Sequence, residues 1–519
     1  MWQPSNRVRY ALAALSGLIY AFSFARWDIW PLAFFAYVPF WIALRGVAPK
    51  QAWKIGWLAG TVMATTGFYW LQNMLATFSG FPAVVCALFV LVLSSYQGGR
   101  LALQAWLGAR MSERGWGSTW PMVLSWIAAE FVYPLLFPWY FGATLHTVPV
   151  LMQTADLGGP VLVGLLLLGV NLAIYEMLCA KLYGSPLRRK LVIGGFTAFV
   201  VAALYGVVRG KQVYAKVESA PSAKVGLVQG NLSLVGKRED PAEGLRRHLQ
   251  LSHDLKEKGA DFVVWSESSV TFPVPEDLAD NLMRDRVGRK IGLPSVFGGV
   301  IVRRASGAER DRWFNVALAA DATGKVTSRY DKQFLLAFGE YLPLGETFPI
   351  LYDWSPNSGA FSPGKSLEPL HLEINGVERK LGALICYEDI LPSFANKLIG
   401  HAQPELLVNI TNDAWFGDTA EPWQHLALAK LRSIEHRRYL VRTTNSGVSA
   451  VVDPFGKLMS NTQTFVPATL LEAIHWMNGS TVYEFVGDTA WYLAALAAFV
   501  LSFKRRQAPT PAPTSEISA

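Results

Sequence analysis

Long apolar runs joined by alternately basic and uncharged connections constrain this chain more than any other feature. Runs at 10–24, 29–44, 55–78, 81–107, 120–137, 161–182, 191–208 and 489–503 are almost free of acids. A helix rises 1.5 Å per residue, so about 20 apolar residues span the ~30 Å hydrocarbon core of a bilayer. Four of the runs reach about that length; those at 10–24, 29–44 and 489–503 are shorter and need flanking Arg and Trp to complete a crossing. The expected architecture is a multi-span α-helical membrane domain of about eight transmembrane helices, seven before a long polar stretch and one after it.

The connections orient the set, because Lys and Arg accumulate in short loops on the cytoplasmic side. Arg7 and Arg9 precede the first run, Arg45, Lys50 and Lys54 separate the second and third, and Arg110 and Arg114 the fourth and fifth. Lys181, Arg188, Arg189 and Lys190 separate the sixth and seventh, and Lys504, Arg505 and Arg506 follow the last. The alternate connections offer only Arg26. Both termini are thus expected in the cytoplasm and the polar stretch on the outer face. This topology accounts for the net charge of +8, so nucleic acid is not an expected partner. The expected segments are 1–210 for the first seven helices, 220–478 for the outer domain, 487–505 for the last helix and 506–519 for a disordered tail rich in Pro, Ser, Thr and Ala.

From Ala223 short β-rich runs alternate with polar helical stretches, which predicts an α/β domain with buried sheets. Strands are expected at 224–229, 261–265, 295–302, 313–320, 381–385, 406–410, 439–443 and 448–452, with helices at 240–258 and 422–437. Three polar residues stand where strands end. Cys386 closes Leu381-Gly382-Ala383-Leu384-Ile385, Glu267 follows Phe262-Val263-Val264-Trp265-Ser266, and Lys332 follows Ser328-Arg329-Tyr330-Asp331. Each has a plain alternative: an inert buried thiol, a helix-start acid, a solvated charge. Strand ends are where α/β sites assemble, and an acid, a cation and a thiol together make a nucleophilic set. Cys86, Cys179 and Cys386 are too scattered for a disulfide framework or a paired-cysteine metal site, and His425 and His436 lack metal-ligand spacing.

Trp265-Ser266-Glu267-Ser268, Tyr330-Asp331-Lys332, Phe338-Gly339-Glu340-Tyr341-Leu342-Pro343 and Ile385-Cys386-Tyr387-Glu388 stand in the order of the motifs of the carbon–nitrogen hydrolase, or nitrilase, superfamily, which this segment resembles. Asn409-Ile410-Thr411-Asn412-Asp413-Ala414-Trp415-Phe416-Gly417 and Arg442-Thr443-Thr444-Asn445-Ser446-Gly447 fit the same pattern. With apolar runs on both sides of it, residues 5–505 resemble the apolipoprotein N-acyltransferase family, a membrane-embedded branch of that superfamily. One departure is visible. Members tend to carry an aromatic residue after a segment like Gln229-Gly230-Asn231, where this chain has Leu234, Val235 and charges.

The resemblance implies an αββα nitrilase-like sandwich in the periplasm of a bacterial inner-membrane protein. It implies a Glu267–Lys332–Cys386 triad, with Glu340, Glu388 and Tyr387 in support and Trp415, Phe416 and Tyr341 as acyl-chain or substrate contacts. The implied reaction moves the sn-1 acyl chain of a phospholipid, with phosphatidylethanolamine the expected donor, through a Cys386 thioester to the α-amine of a diacylated apolipoprotein. No cofactor or metal is expected, the bilayer is the working surface, and the chain is expected to act as a monomer. The rival expectation keeps the triad but lets water resolve the acyl-enzyme, as in a membrane-tethered amidase. A transporter or receptor is disfavoured because few charges beyond Arg100, Glu130 and Glu176 lie within the apolar runs.

Overall fold

A computed structural model describes residues 4–79, 81–233, 241–305, 311–337, 339–342, 344–345, 347–348, 350, 352 and 359–506. Leu234, Val235, Phe338, Pro343 and the tail from 507 onward, all named above, lie outside the described residues.

The apolar N-terminal half folds as helices α1 (Asn6–Phe22), α2 (Val38–Leu44), α3 (Pro49–Gly67), α4 (Leu71–Ser79), α5 (Ala83–Glu113), α6 (Thr119–Val132), α7 (Ala155–Tyr183) and α8 (Arg189–Ser219). Among the described residues α5, α7 and α8 are long and apolar enough to cross a membrane. Two small residues let α3 and α5 approach closely: a Cβ on Gly60 would lie within 2.6 Å of the Gly98 Cα.

Three of the expected runs are not continuous helices. Residues 29–44 split into a 3₁₀ turn at Trp30–Phe34 and α2, each with a proline in its first turn. Residues 55–78 break between α3 and α4, and the Gly67 carbonyl freed there accepts from Gln424 Nε2 at 2.8 Å. Residues 120–137 stop being helical after Val132, ahead of Pro134 and Pro138. The irregular backbone that follows is paired inside protein: Gln97 accepts from Leu136 N–H at 2.9 Å and donates to Phe137 O at 2.8 Å, while Arg100 donates to Trp139 O at 2.8 Å. Non-helical backbone among apolar helices persists only where side chains satisfy it in this way. Arg100 and Glu130, both buried, form an ion pair at 2.9 Å, so these charges brace the helices rather than line a path.

The α/β domain holds two sheets. Strands β1 (Ser222–Gln229), β2 (Phe262–Trp265), β3 (Pro273–Pro275), β4 (Ser295–Arg303), β5 (Arg312–Ala320) and β6 (Val326–Asp331) belong to the first, and β7 (Leu370–Ile374), β8 (Val377–Ile385), β9 (Leu406–Thr411), β10 (Leu440–Thr444), β11 (Ala450–Val452) and β12 (Leu458–Asn461) to the second. β13 (Ala468–His475) returns to the first sheet beside β1. The order is β13-β1-β2-β4-β5-β6 with β3 against β4, and β12-β11-β10-β9-β8-β7. Pairing is parallel for β1–β2–β4 and for β8–β9–β10.

Side-chain alternation builds the layers. In β2, Phe262 and Val264 point into the core shared with Leu384, Val408 and Val441 of the other sheet, whereas Val263 and Trp265 face the opposite core with Leu255 of helix α9 (Pro241–Glu257). The second sheet is covered by α10 (Pro392–Ala402) and α11 (Glu421–His436). Helix α11 is buried throughout because its other face, with Leu428, Leu431 and Ile434, joins the core of the membrane helices. Helix α12 (Thr489–Phe503) then rejoins α5 and α6.

Candidate active site

Glu267, Lys332 and Cys386 meet at one edge of the sandwich because β2, β6 and β8 all end there. Cys386 has φ +52°, a left-handed conformation that costs a residue with a side chain about 1 kcal/mol or more and turns the chain sharply out of β8. The thiol is thereby lifted out of the sheet. Glu267 sits in a similarly tight turn, with Ser268 at φ +50°. That turn crosses Gly298 of β4 so closely that a Cβ there would lie 2.8 Å from the Glu267 Cα. Only glycine lets the loop lie on the strand.

Lys332 is 1% exposed and its Nζ lies 2.8 Å from Glu340 Oε2 and 3.5 Å from Glu267 Oε1. Burial pulls a lysine pKa down, but these two carboxylates outweigh it and keep the ammonium charged. Asn315 of β5 completes the group. Its Nδ2 donates to Glu267 Oε1 at 2.6 Å and to Glu340 Oε1 at 2.9 Å, and its backbone carbonyl accepts from the Lys332 backbone N–H at 2.9 Å. Burial and the Glu267 charge push the Cys386 thiol well above its ordinary range, with Lys332 acting in the opposite sense. The resting sulfur is therefore a protonated thiol, which needs a base at the moment of attack.

Glu388 is fully buried and does not reach the thiol. It accepts from Gln333 N–H at 2.6 Å, Phe334 N–H at 3.1 Å, Ile385 N–H at 2.8 Å and the Tyr330 hydroxyl at 3.0 Å. It thus ties the segment after Lys332 to the residue before Cys386. Burial, opposed by those N–H groups, raises its pKa to about 7.

Behind the Cys386 turn lies a second charged group that the sequence did not disclose. Arg442 donates to Asp389 at 2.6 Å and to Asp413 at 3.2 Å, and His425 Nε2 lies 2.8 Å from Asp389. Glu421 lies 3.6 Å from His425 Nδ1. Asp413, Glu421 and His425 hold ligand atoms within 4.8 Å of one another. The set is nevertheless already balanced. Burial and Arg442 lower the His425 pKa, but Asp389 and Asp413 outweigh them and hold it at about 10, so the ring is a cation set against the two aspartates. Glu421 and His425 stand four apart on α11, but Asp389, Asp413 and Arg442 come from separate segments that only the sheet brings together. Asn315 left one clue, a lone amide in the apolar strand Trp313-Phe314-Asn315-Val316.

Of the aromatic residues named above, Phe416, Trp415 and Tyr387 reach the membrane helices. Phe416 is buried edge-on against Trp70, with ring centroids 5.2 Å apart, and its carbonyl accepts from Asn73 at 3.2 Å. Half-buried Trp415 packs on the same membrane-helix core. Tyr387 reaches the membrane domain directly, its hydroxyl donating to Leu136 O at 3.0 Å. Tyr341 is half-buried and is bridged to Ala337. These contacts seat the site against the membrane helices.

A Glu, a Lys and a Cys at the strand ends of a two-sheet sandwich define a nitrilase-type enzyme, and residues 224–476 match the carbon–nitrogen hydrolase family. Residues 16–173 match the apolipoprotein N-acyltransferase N-terminal domain. Over 96% of both chains this sequence is 30% identical to the apolipoprotein N-acyltransferase of Geobacter metallireducens. It is 31% identical to that of Azotobacter vinelandii over 98% of this chain and 97% of the relative. The chain belongs to the apolipoprotein N-acyltransferase family: it is a membrane protein and an acyltransferase of the nitrilase superfamily. A solved amidase from Nesterenkonia sp. AN1 aligns at 20% identity over 49% of this chain and 90% of its own, with a TM-score of 0.36.

Proposed function

We propose that the chain transfers the sn-1 acyl chain of a phospholipid, with phosphatidylethanolamine as donor, through Cys386 to the α-amine of a diacylglyceryl-cysteine at the N-terminus of an apolipoprotein. Glu267 removes the thiol proton as sulfur attacks the ester carbonyl. The Lys332 ammonium and the backbone N–H of Tyr387 stabilise the tetrahedral oxyanion, a role worth about 3 kcal/mol per donor. Collapse expels the lysophospholipid alkoxide, which takes the proton from Glu267 and leaves a thioester on Cys386. The lipoprotein amine then attacks the thioester, Glu267 accepts its proton, and the amide forms as the thiol is restored. No ATP, metal or organic cofactor enters the balance. Glu340 and Asn315 fix Lys332 and Glu267; Glu388 is a positioning residue.

The observation that carries this reading is the Lys332 ammonium held between Glu267 and Glu340 beside a thiol whose own surroundings keep it protonated. In this reading eight crossings, with the boundaries expected above, put the catalytic domain in the periplasm and both termini in the cytoplasm. The irregular crossings count among the eight, the chain acts as a monomer, and Trp415, Phe416 and Tyr341 flank the acyl path. Proximity to lipid has a physical purpose. Moving an acyl chain into water costs about 0.8 kcal/mol per CH₂, so the site has to open onto the bilayer. The test is the intact mass of purified protein incubated with phospholipid. A fatty-acyl adduct on wild type, absent in Cys386→Ser and discharged by a diacylated lipopeptide as N-acylated product, is the expected result. Release of free fatty acid alone would favour the amidase-type reading with water as acceptor.

A further inference from the structure

The ends of α5 and α7 remote from the catalytic domain enclose a cavity of about 660 Å³ that the reaction does not use. The near end of α7 meets that domain through Asp156, which pairs with Arg437 at 2.6 Å, and beyond the kink at Gly158 and Gly159 the cavity begins at Tyr175, about 22 Å of helix after Pro160. Its walls combine apolar side chains such as Trp41 and Met122 with Arg45 and Gln104, and its two carboxylates, Glu113 and Glu176, are each paired with an arginine, Arg110 and Arg188.

Two observations give this cavity a chemistry. Arg45 is the first. Its guanidinium donates to the Ser185 hydroxyl at 3.1 Å, lies 4.4 Å above the Tyr183 ring and sits beside Tyr175 and Cys179, all neutral groups. Among the described residues no carboxylate lies within ion-pair distance of it, whereas Arg188 is paired with Glu176. The charge is held in place, since Arg9 donates to the Arg45 carbonyl at 2.9 Å. Gln104 is the second: it is 3% exposed, lines the cavity, and its Nε2 has no hydrogen-bond partner. An unpaired cation and an unspent buried donor on an apolar-walled cavity between membrane helices call for an anion with a greasy body.

We infer that this cavity binds a phosphate-bearing lipid headgroup, its phosphate on Arg45 and Gln104 and its first methylenes against the apolar wall, at the membrane face opposite the active site. The volume suits a headgroup with its glycerol. Such a lipid lies too far from Cys386 to be an acyl donor, so the site is separate from the substrate path.

Native mass spectrometry of the full chain, purified in detergent, tests this with phosphatidylethanolamine and phosphatidylglycerol as probes. Wild type is expected to keep one tightly held phospholipid, with occupancy falling at least fivefold in Arg45→Gln and staying unchanged in Lys50→Gln, a lysine in the first turn of α3 that does not line the cavity. Gly108→Leu fills the cavity while leaving Arg45 intact, and should expel the lipid to the same degree; it decides the matter if Arg45→Gln fails to fold. Equal occupancy in wild type, Arg45→Gln and Gly108→Leu would overturn the proposal. Displacement of the lipid by millimolar inorganic phosphate would overturn it in favour of a free-anion site.

Discussion

Two buried charged groups flank the Cys386 turn, and they differ in what their charges are free to do. On one side Lys332, Glu267 and Glu340 surround the thiol, with Glu340 14% exposed and the resting sulfur still protonated. On the other, Arg442, Asp389, Asp413 and His425 are sealed among β8, β9, β10 and α11, with both aspartates at 0% exposure. The first group has an acceptor for a proton and an opening for a substrate. The second has each carboxylate matched to a cation and no access. In the proposed reaction the residues at the open edge carry the chemistry, while the sealed set holds backbone geometry. The sealed group also carries a mechanical link, because helix α11 places Gln424 on Gly67 and on Trp70 while His425 holds Asp389, three residues beyond the nucleophile.

The comparison predicts losses of activity without loss of fold on the open side, and the reverse on the sealed side. Glu267→Gln keeps the hydrogen-bonding shape but removes the base, so acyl-adduct formation should fall roughly 10²–10⁴-fold with thermal stability little changed. Lys332→Met removes an oxyanion partner and should cost about 10²–10³ in rate. It also leaves Glu267 and Glu340 facing each other without a cation, which favours a protonated Glu267, so the residual rate should rise toward alkaline pH as the base ionises. Arg442→Leu strands Asp389 and Asp413 and should destabilise the domain by about 3–5 kcal/mol, read as a lowered denaturation midpoint. If Arg442→Leu instead kept its stability and lost only rate, the division between the two groups would be wrong.

How much of this was legible in sequence depends on how locally each feature is written. Strands β1, β2, β4, β5 and β8 to β11 and helix α11 are local, and apolar runs place them to within a few positions, whereas β3, β7, β12 and β13 are not among the expected strands. Cys386, Glu267 and Lys332 are legible because the strand before each one marks its edge. The broken crossings are not, since a window over 55–78 sees only hydrophobicity while the break at Gly67 is made tolerable by Gln424, some 350 positions away in the chain. Asn315 and the Asp389–Asp413–His425–Arg442 set share that obstacle: each residue is ordinary in its own segment, and only the pairing of β8 with β9 and β10 brings them together.

The smallest effect expected is also the one that separates a structural cation from a proton-transfer group. His425 carries a pKa of about 10 in the folded domain, against about 6.5 for an unfolded histidine. A pKa raised on folding stabilises the protonated state, so this contribution is complete below about pH 6.5 and is lost as pH rises through about 10. Asp389, Asp413, Glu421 and Arg442 face the ring. Denaturation midpoints of wild type and His425→Gln should therefore differ most at pH 6 and converge steadily toward pH 10. The acyl-transfer rate of folded His425→Gln should keep the wild-type pH profile. A shifted rate profile would mean that His425 feeds protons to the Cys386 side, and that the two groups act as one.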